Sequence, residues 1–102
     1  MKKLVRDNIP DIINNKWDNC EFYIAETQEH TEFLVKKLLE ESKEVASSKN
    51  DQEIMDEIWD LKDVIDMLCK IKWFNIEEID TRRKNKTKIR WWFDKWIILT
   101  KY

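Results

Sequence analysis

The chain contains no glycine, and proline occurs only once in its 102 residues. An average chain of this length would hold about seven glycines, which supply positive φ angles at turns and at the ends of helices. Without glycine there is no glycine-rich loop of the kind that cradles phosphates, and a P-loop enzyme is therefore excluded. The one proline, Pro10, fits the first turn of a short helix.

Cysteine is scarce, and long apolar runs and an excess of one charge are missing. Cys20 and Cys69 have no CxxC spacing, and we expect a reduced, cytoplasmic protein in which both are small apolar residues. The start of the chain has no apolar segment typical of a secretion signal, and no run approaches membrane-spanning length. Charged residues make up 39% of the chain, but the net charge is only −2. This balance argues against a nucleic acid polymer as partner.

Apolar periodicity and capping residues predict an all-α, single-domain protein over residues 1–102. A short extended N-terminal segment precedes three main helices, at 28–47, 51–72 and 75–89, and a C-terminal tail follows them. Thr27, Asn50 and Asn75 are the expected N-caps, the last two with a glutamate three residues later. Residues 21–25 could form a short strand, and the apolar tail is partly strand-like.

Two acidic pairs occur at matching spacing in the first two main helices. Glu41 and Glu44 are three residues apart, and Glu57 and Asp60 repeat this spacing twelve residues later. On a helix both acids of a pair project from one side, and here they border the apolar stripe. Packed together, four carboxylates would repel one another unless a cation compensates them, and oxygen ligands suit Mg²⁺ or Mn²⁺. The alternative is two solvated acidic faces with local lysine partners.

The third main helix is strongly basic between residues 82 and 90. Lys86 and Arg90 are four residues apart and share a face, as donors to a phosphate would. The alternative is a solvated helix whose charge balances that of the acidic helices.

Together these segments resemble the MazG-like all-α nucleoside triphosphate pyrophosphatases, close to phosphoribosyl-ATP pyrophosphohydrolase. That family carries ExxE followed, after a dozen or more residues, by ExxD, and one branch begins with KLVRDxIP. The resemblance covers nearly the whole chain. The segments that carry it are Lys3 to Pro10, Lys37 to Glu41, the two acidic pairs, Asp60 to Leu68, and Lys86 to Phe93.

The resemblance implies an antiparallel helical bundle that forms a homo-oligomer, a dimer or a tetramer. It implies Mg²⁺-dependent cleavage of a nucleotide between the α and β phosphates, with phosphoribosyl-ATP and non-standard triphosphates as alternative substrates. The different-class alternative is a non-catalytic helical interaction module that retains the fold. By position, the resemblance implies that the metal ligands are Glu41, Glu44, Glu57 and Asp60, and that Glu41 or Glu44 takes the proton of the attacking water. Glu40 and Asp63 would support these ligands or hold an additional ion. The phosphates would be contacted by Arg6, Lys86 and Arg90.

The chain departs from this family in its tryptophans. All six stand where the family has, or tolerates, glycine: Trp17, Trp59, Trp73, Trp91, Trp92 and Trp96. Because some genetic codes assign the UGA codon to glycine and others assign it to tryptophan, one hypothesis is that these six residues are glycines in the living protein. The alternative is six genuine tryptophans. Trp17 and Trp73 follow expected helix ends, where a left-handed residue is easy only for glycine.

Overall fold

The structure is a computed structural model that describes residues 2–16 and 19–102. All regular structure within these ranges is helical: α1 (Ile9–Asn15), α2 (Thr27–Ala46), α3 (Asp51–Ile71) and α4 (Ile76–Arg90). No helix of the described ranges is long and apolar enough to cross a membrane. The all-α prediction is confirmed, but the strand predicted at 21–25 is wrong. A lone strand has no neighbour here to take its backbone hydrogen bonds.

Asparagine side chains fix the starts of α3 and α4, as the sequence predicts. The Asn50 side chain accepts a hydrogen bond from the Glu53 N–H, and Asn75 accepts from the N–H groups of Glu77 and Glu78. The Glu53 carboxylate accepts a hydrogen bond from the Lys49 N–H at 2.8 Å. This pair resembles a capping box, except that the donor is the residue before the N-cap Asn50.

The cap predicted for α2 is displaced by one residue. Glu26, not Thr27, is the extended residue before this helix, and its carbonyl accepts the first helical hydrogen bond from His30 N–H at 2.8 Å. No side chain caps this end, and the Thr27 carbonyl instead accepts from the Thr31 hydroxyl at 3.0 Å. A helix start without a side-chain cap is weakly marked in a sequence, and this accounts for the displacement.

Helices α2 and α3 pack against each other as a hairpin. Residues 47–50 join them, a connection so short that the two helices must run antiparallel. Leu34 is the one apolar side chain of the described residues that is fully buried. The inward stripe of α3 contains half-buried residues at heptad-like spacing, namely Ile54, Glu57, Leu61, Val64 and Leu68. A single chain therefore supplies a thin core.

Several apolar residues of α2 and α3 are exposed. Ile58 and Ile65 of α3 are 47% and 43% exposed, and Val35 and Leu39 of α2 are also open to solvent. Ile58 is exposed although it lies four residues after the half-buried Ile54, because the packing of α2 turns the inward stripe of α3 toward Glu57. The hairpin consequently has an apolar outer surface as well as an apolar seam.

The chain divides into two compact units, Met1–Lys72 and Trp73–Tyr102. The second unit holds α4 and a tail, residues 91–102, without regular structure. The described residues with positive φ are Trp73 (57°), Trp91 (66°) and Trp96 (55°). The expectation of a left-handed residue at Trp73 is thus met, while Trp17 lies outside the described residues.

Candidate functional site

Two carboxylates occupy inward positions of the hairpin where apolar residues would be expected. Glu41 lies seven residues after the buried Leu34 on α2 and is itself only 9% exposed. Glu57 lies seven residues before Val64 on the inward stripe of α3. Removing a carboxylate from water is unfavourable unless a cation or hydrogen-bond donors compensate it. The hairpin therefore places negative charge where it is least easily tolerated.

Asp60, one helical turn after Glu57, completes a group of three acids. Carboxylate oxygens of Glu41, Glu57 and Asp60 all lie within 4.8 Å of one another. Around Mg²⁺, with ligand distances near 2.1 Å, two opposite oxygens are about 4.2 Å apart. Small side-chain rotations would therefore let the three oxygens share one ion. The donor set, oxygen only and from three carboxylates, fits a hard divalent cation and does not favour zinc or copper.

The electrostatics of Glu57 reflect this crowding. Partial loss of hydration raises the pKa of Glu57 above its usual value, and the negative charges of Asp60, Glu41 and Glu44 raise it further. A carboxyl group with like charges around it and no cationic partner binds a proton, or another cation, more readily than a free one. Glu57 is thus the member of the group whose charge is least compensated by the protein.

Two cationic side chains contact the other two members. Lys37 Nζ lies 3.5 Å from Glu41 Oε1 and 3.5 Å from Glu40 Oε1. Arg6 Nη2 donates to Asp60 Oδ1 and to Asp63 Oδ2, both at 2.9 Å. The Lys37 contacts were anticipated as local pairs within α2. The Arg6 contacts join residues more than fifty positions apart, and nothing in the spacing of the sequence signals them.

The remaining acids predicted for the site lie around this group. Glu44 is exposed one turn beyond Glu41 and is outside the group of three, although its charge acts on Glu57. Glu40 and Asp63 each share a cation with a member of the group. The structure therefore brings together three of the four predicted ligands, with Glu40 and Asp63 as their neighbours through Lys37 and Arg6.

The predicted phosphate contacts fall on different elements. Arg6 lies beside the acids, whereas Lys86 and Arg90 belong to α4 in the second unit. Within α4, Arg82, Arg83 and Lys84 form ion pairs with Glu78 or Asp80. No ion pair in the described part of the chain involves Lys86 or Arg90. Their charges remain available to an anionic ligand.

A separate concavity of about 520 Å³ lies near the start of α2. Glu26, Glu29 and Glu32 line it, together with Tyr23, Ile24 and Gln28. Three acids with no lysine or arginine among the lining residues would repel a phosphate, and this concavity is therefore unsuited to a nucleotide. We place the functional site at the acids of the hairpin.

Comparison with known protein families, with curated proteins and with solved structures gives no match for this chain.

Proposed function

We propose that the chain is a Mg²⁺-dependent nucleotide pyrophosphohydrolase that cleaves a nucleoside triphosphate, or phosphoribosyl-ATP, between the α and β phosphates. The products would be a monophosphate and pyrophosphate. The observation that carries the proposal is the meeting of Glu41, Glu57 and Asp60 inside a two-helix hairpin. The resemblance of the ExxE and ExxD segments to the MazG-like family supplies the reaction.

In this proposal Glu41, Glu57 and Asp60 hold Mg²⁺, with Mn²⁺ as an alternative ion. When bound, the metal would lower the pKa of a coordinated water and offset charge on the phosphates. Two of the three carboxylates, Glu41 and Glu57, lie on the inward stripes of packed helices, and this placement would hold the bound ion and its water in a defined orientation. Arg6 is the proposed cation for the phosphate oxygens beside the acids, and Lys86 and Arg90 stay predicted phosphate contacts on α4.

The proton acceptor is proposed to be Glu44 rather than Glu41. A carboxylate that ligates a metal is less basic than a free one, because the ion already withdraws its charge. Glu41 belongs to the group of three ligands, whereas Glu44 is exposed, near enough to act on the charge of Glu57, and outside that group. Glu44 is therefore the nearby carboxylate that no metal would occupy and that can take the proton of the water.

We further propose that the protein is a homo-oligomer. The outer surfaces of α2 and α3 expose apolar side chains, and Leu34 is the one apolar side chain that is completely buried among residues 2–16 and 19–102. A second copy packed on this surface would bury these apolar side chains and so enlarge the small core of the hairpin. The same exposed surface is what favours the second candidate function, a non-catalytic module that binds partners through its helices.

The test is pyrophosphate release from a panel of nucleoside triphosphates and phosphoribosyl-ATP, with and without Mg²⁺. We expect Mg²⁺-dependent release that Asp60→Asn lowers by more than about a hundredfold, because even residues behind a metal ligand matter by ten- to a hundredfold. Asp56→Asn, the same change one turn earlier on α3, is the matched control and should retain activity. Glu44→Gln should lower kcat while metal affinity persists.

Three results would contradict the proposal. Full activity of Asp60→Asn would remove Asp60 from the site, and equal loss in Asp56→Asn would point to a general structural effect. Absence of pyrophosphate release across the whole panel, for the chain as given and for a version with glycine at the six tryptophan positions, would favour the binding module.

A further inference from the structure

Among the three candidate metal ligands, Asp60 is the one paired with a cation from outside its own hairpin. That cation is Arg6. A single nitrogen, Nη2, bridges Asp60 Oδ1 and Asp63 Oδ2. This bridge ties the N-terminal segment to α3. It also occupies an oxygen of Asp60, the residue that must turn its carboxylate to a metal in the proposed function.

The two cations of the site differ in how easily they can leave. Lys37 is 19% exposed at its side chain and lies on the same helix as Glu41, so it is held close by the helix itself. Arg6 is 61% exposed and belongs to a segment without regular structure. Exposed ion pairs contribute little to stability, and a divalent ion with three carboxylates competes readily with such a pair.

We propose that Arg6 is a placeholder cation: it compensates Asp60 in the metal-free protein, and a divalent metal displaces it. This inference rests on the proposed metal-dependent function. Displacement frees a guanidinium with five donors next to the metal, which is the group best suited to bind phosphate oxygens in pairs. Metal binding would thereby prepare the phosphate contact, and the metal would bind before the nucleotide.

The change in metal affinity when Arg6 is removed separates a placeholder from a residue that merely orients Asp60. Removing a placeholder takes away a competitor and a repelling charge, so metal affinity should rise. Removing a residue that orients Asp60 should lower metal affinity instead. We expect Arg6→Gln to bind Mn²⁺ about three- to tenfold more tightly than the unaltered protein.

The experiment titrates Mn²⁺ and follows the free ion by electron paramagnetic resonance. Arg82→Gln is the control, because it removes the same charge from another exposed ion pair, with Glu78 on α4. Tighter binding by Arg6→Gln alone supports the proposal; unchanged or weaker binding overturns it. If the unaltered protein binds no Mn²⁺, the proposed metal function fails, whereas Mn²⁺ binding insensitive to Arg6 removes only the placeholder role.

A second readout follows the freed guanidinium. With Mn²⁺ present, Arg6→Gln should bind pyrophosphate more weakly than the unaltered protein, and Arg6→Lys should recover part of the loss. Amide hydrogen exchange of residues 2–8 should accelerate when Mn²⁺ is added to the unaltered protein, because the bridge to α3 is broken. Unchanged exchange at saturating Mn²⁺ would contradict displacement.

An independent observation concerns the tryptophans. The described residues with positive φ are all tryptophan, in a chain with six tryptophans and no glycine. Trp91 has φ 66° and ψ −165°, a region that is essentially restricted to glycine. Trp73 and Trp96 have a left-handed φ, which is unfavourable for any residue with a Cβ. The backbone therefore takes glycine geometry where the sequence has its largest side chain.

We infer that Trp73, Trp91 and Trp96, and with them the other three tryptophans, are glycine in the protein made by its own host. A UGA codon read as glycine by the host and as tryptophan by another code would produce this pattern. Peptide mass spectrometry of the protein from host cells, with the six codons, tests it. Glycine peptides and UGA codons are the expected result; tryptophan peptides or UGG codons would overturn it.

Discussion

Replacing Trp73 by glycine should stabilise the protein, although it removes the largest side chain. Trp73 follows the last residues of α3 with φ 57°, and its side chain is 93% exposed, so little burial is lost. Relief of the left-handed conformation contributes about 1–2 kcal/mol. The greater freedom of glycine in the unfolded chain offsets about 0.4–1 kcal/mol of this gain. The net expectation is about 1 kcal/mol, or a rise in Tm of about 4–8 °C.

The measurement is denaturation followed by circular dichroism at 222 nm, for Trp73→Gly and two matched variants. Trp73→Ala also removes the indole but keeps a Cβ, so it should show little of the gain. Trp59→Gly makes the same substitution in the interior of α3 and should destabilise by about 0.5–1 kcal/mol, because glycine is a poor helix former. Equal stabilisation by Trp73→Gly and Trp73→Ala would refute the argument from backbone strain.

Further predictions concern the acids, the outer surface and a cap. Because the pKa of Glu57 is raised in the folded metal-free protein, the contribution of Glu57 to stability should be largest below the usual carboxyl pKa and be lost as pH rises through the raised value. Melting curves recorded with a chelator should show this loss as a pH-dependent difference between the unaltered protein and Glu57→Gln. Leu39→Glu, on the exposed surface of α2, should lower the mass found by sedimentation, whereas Lys43→Glu should not; equal masses for both variants would argue against association through this surface. Asn50→Ala should destabilise by about 1 kcal/mol in urea denaturation, since it removes the cap of α3.

The sequence predicts the helices well where a side chain marks their ends. Asn50 and Asn75 each accept backbone hydrogen bonds at the start of a helix, and both were identifiable from the residue types that follow them. The start of α2 has no such side chain, and the prediction there is displaced by one residue. Residues 21–25 combine aromatic and β-branched side chains, but a strand also needs a partner, and local composition carries no information about one.

The sequence predicts which acids of the candidate site share a helix face, but it does not predict the contacts that their side chains make. Helical angles place Glu41 and Glu57 at the border of the apolar stripes, and the structure moves both inward because each helix turns its face toward the other. Arg6 was expected at a phosphate, and the structure instead pairs it with Asp60 and Asp63. Such a long-range ion pair depends on where the N-terminal segment lies, which no local pattern encodes.

The placement of Glu41 and Glu57 explains why a cation is a better hypothesis than an acidic surface. An apolar side chain at either position would extend the seam of a hairpin that buries only Leu34 completely. Replacing inward charges by apolar residues often leaves a protein equally or more stable, so stability alone gives no reason for these carboxylates. Arg6 and Lys37 compensate the flanks of the group, while Glu57 keeps a raised pKa and no cationic partner within the described ion pairs. A cation bound between the three acids would compensate the charge that the protein itself leaves uncompensated.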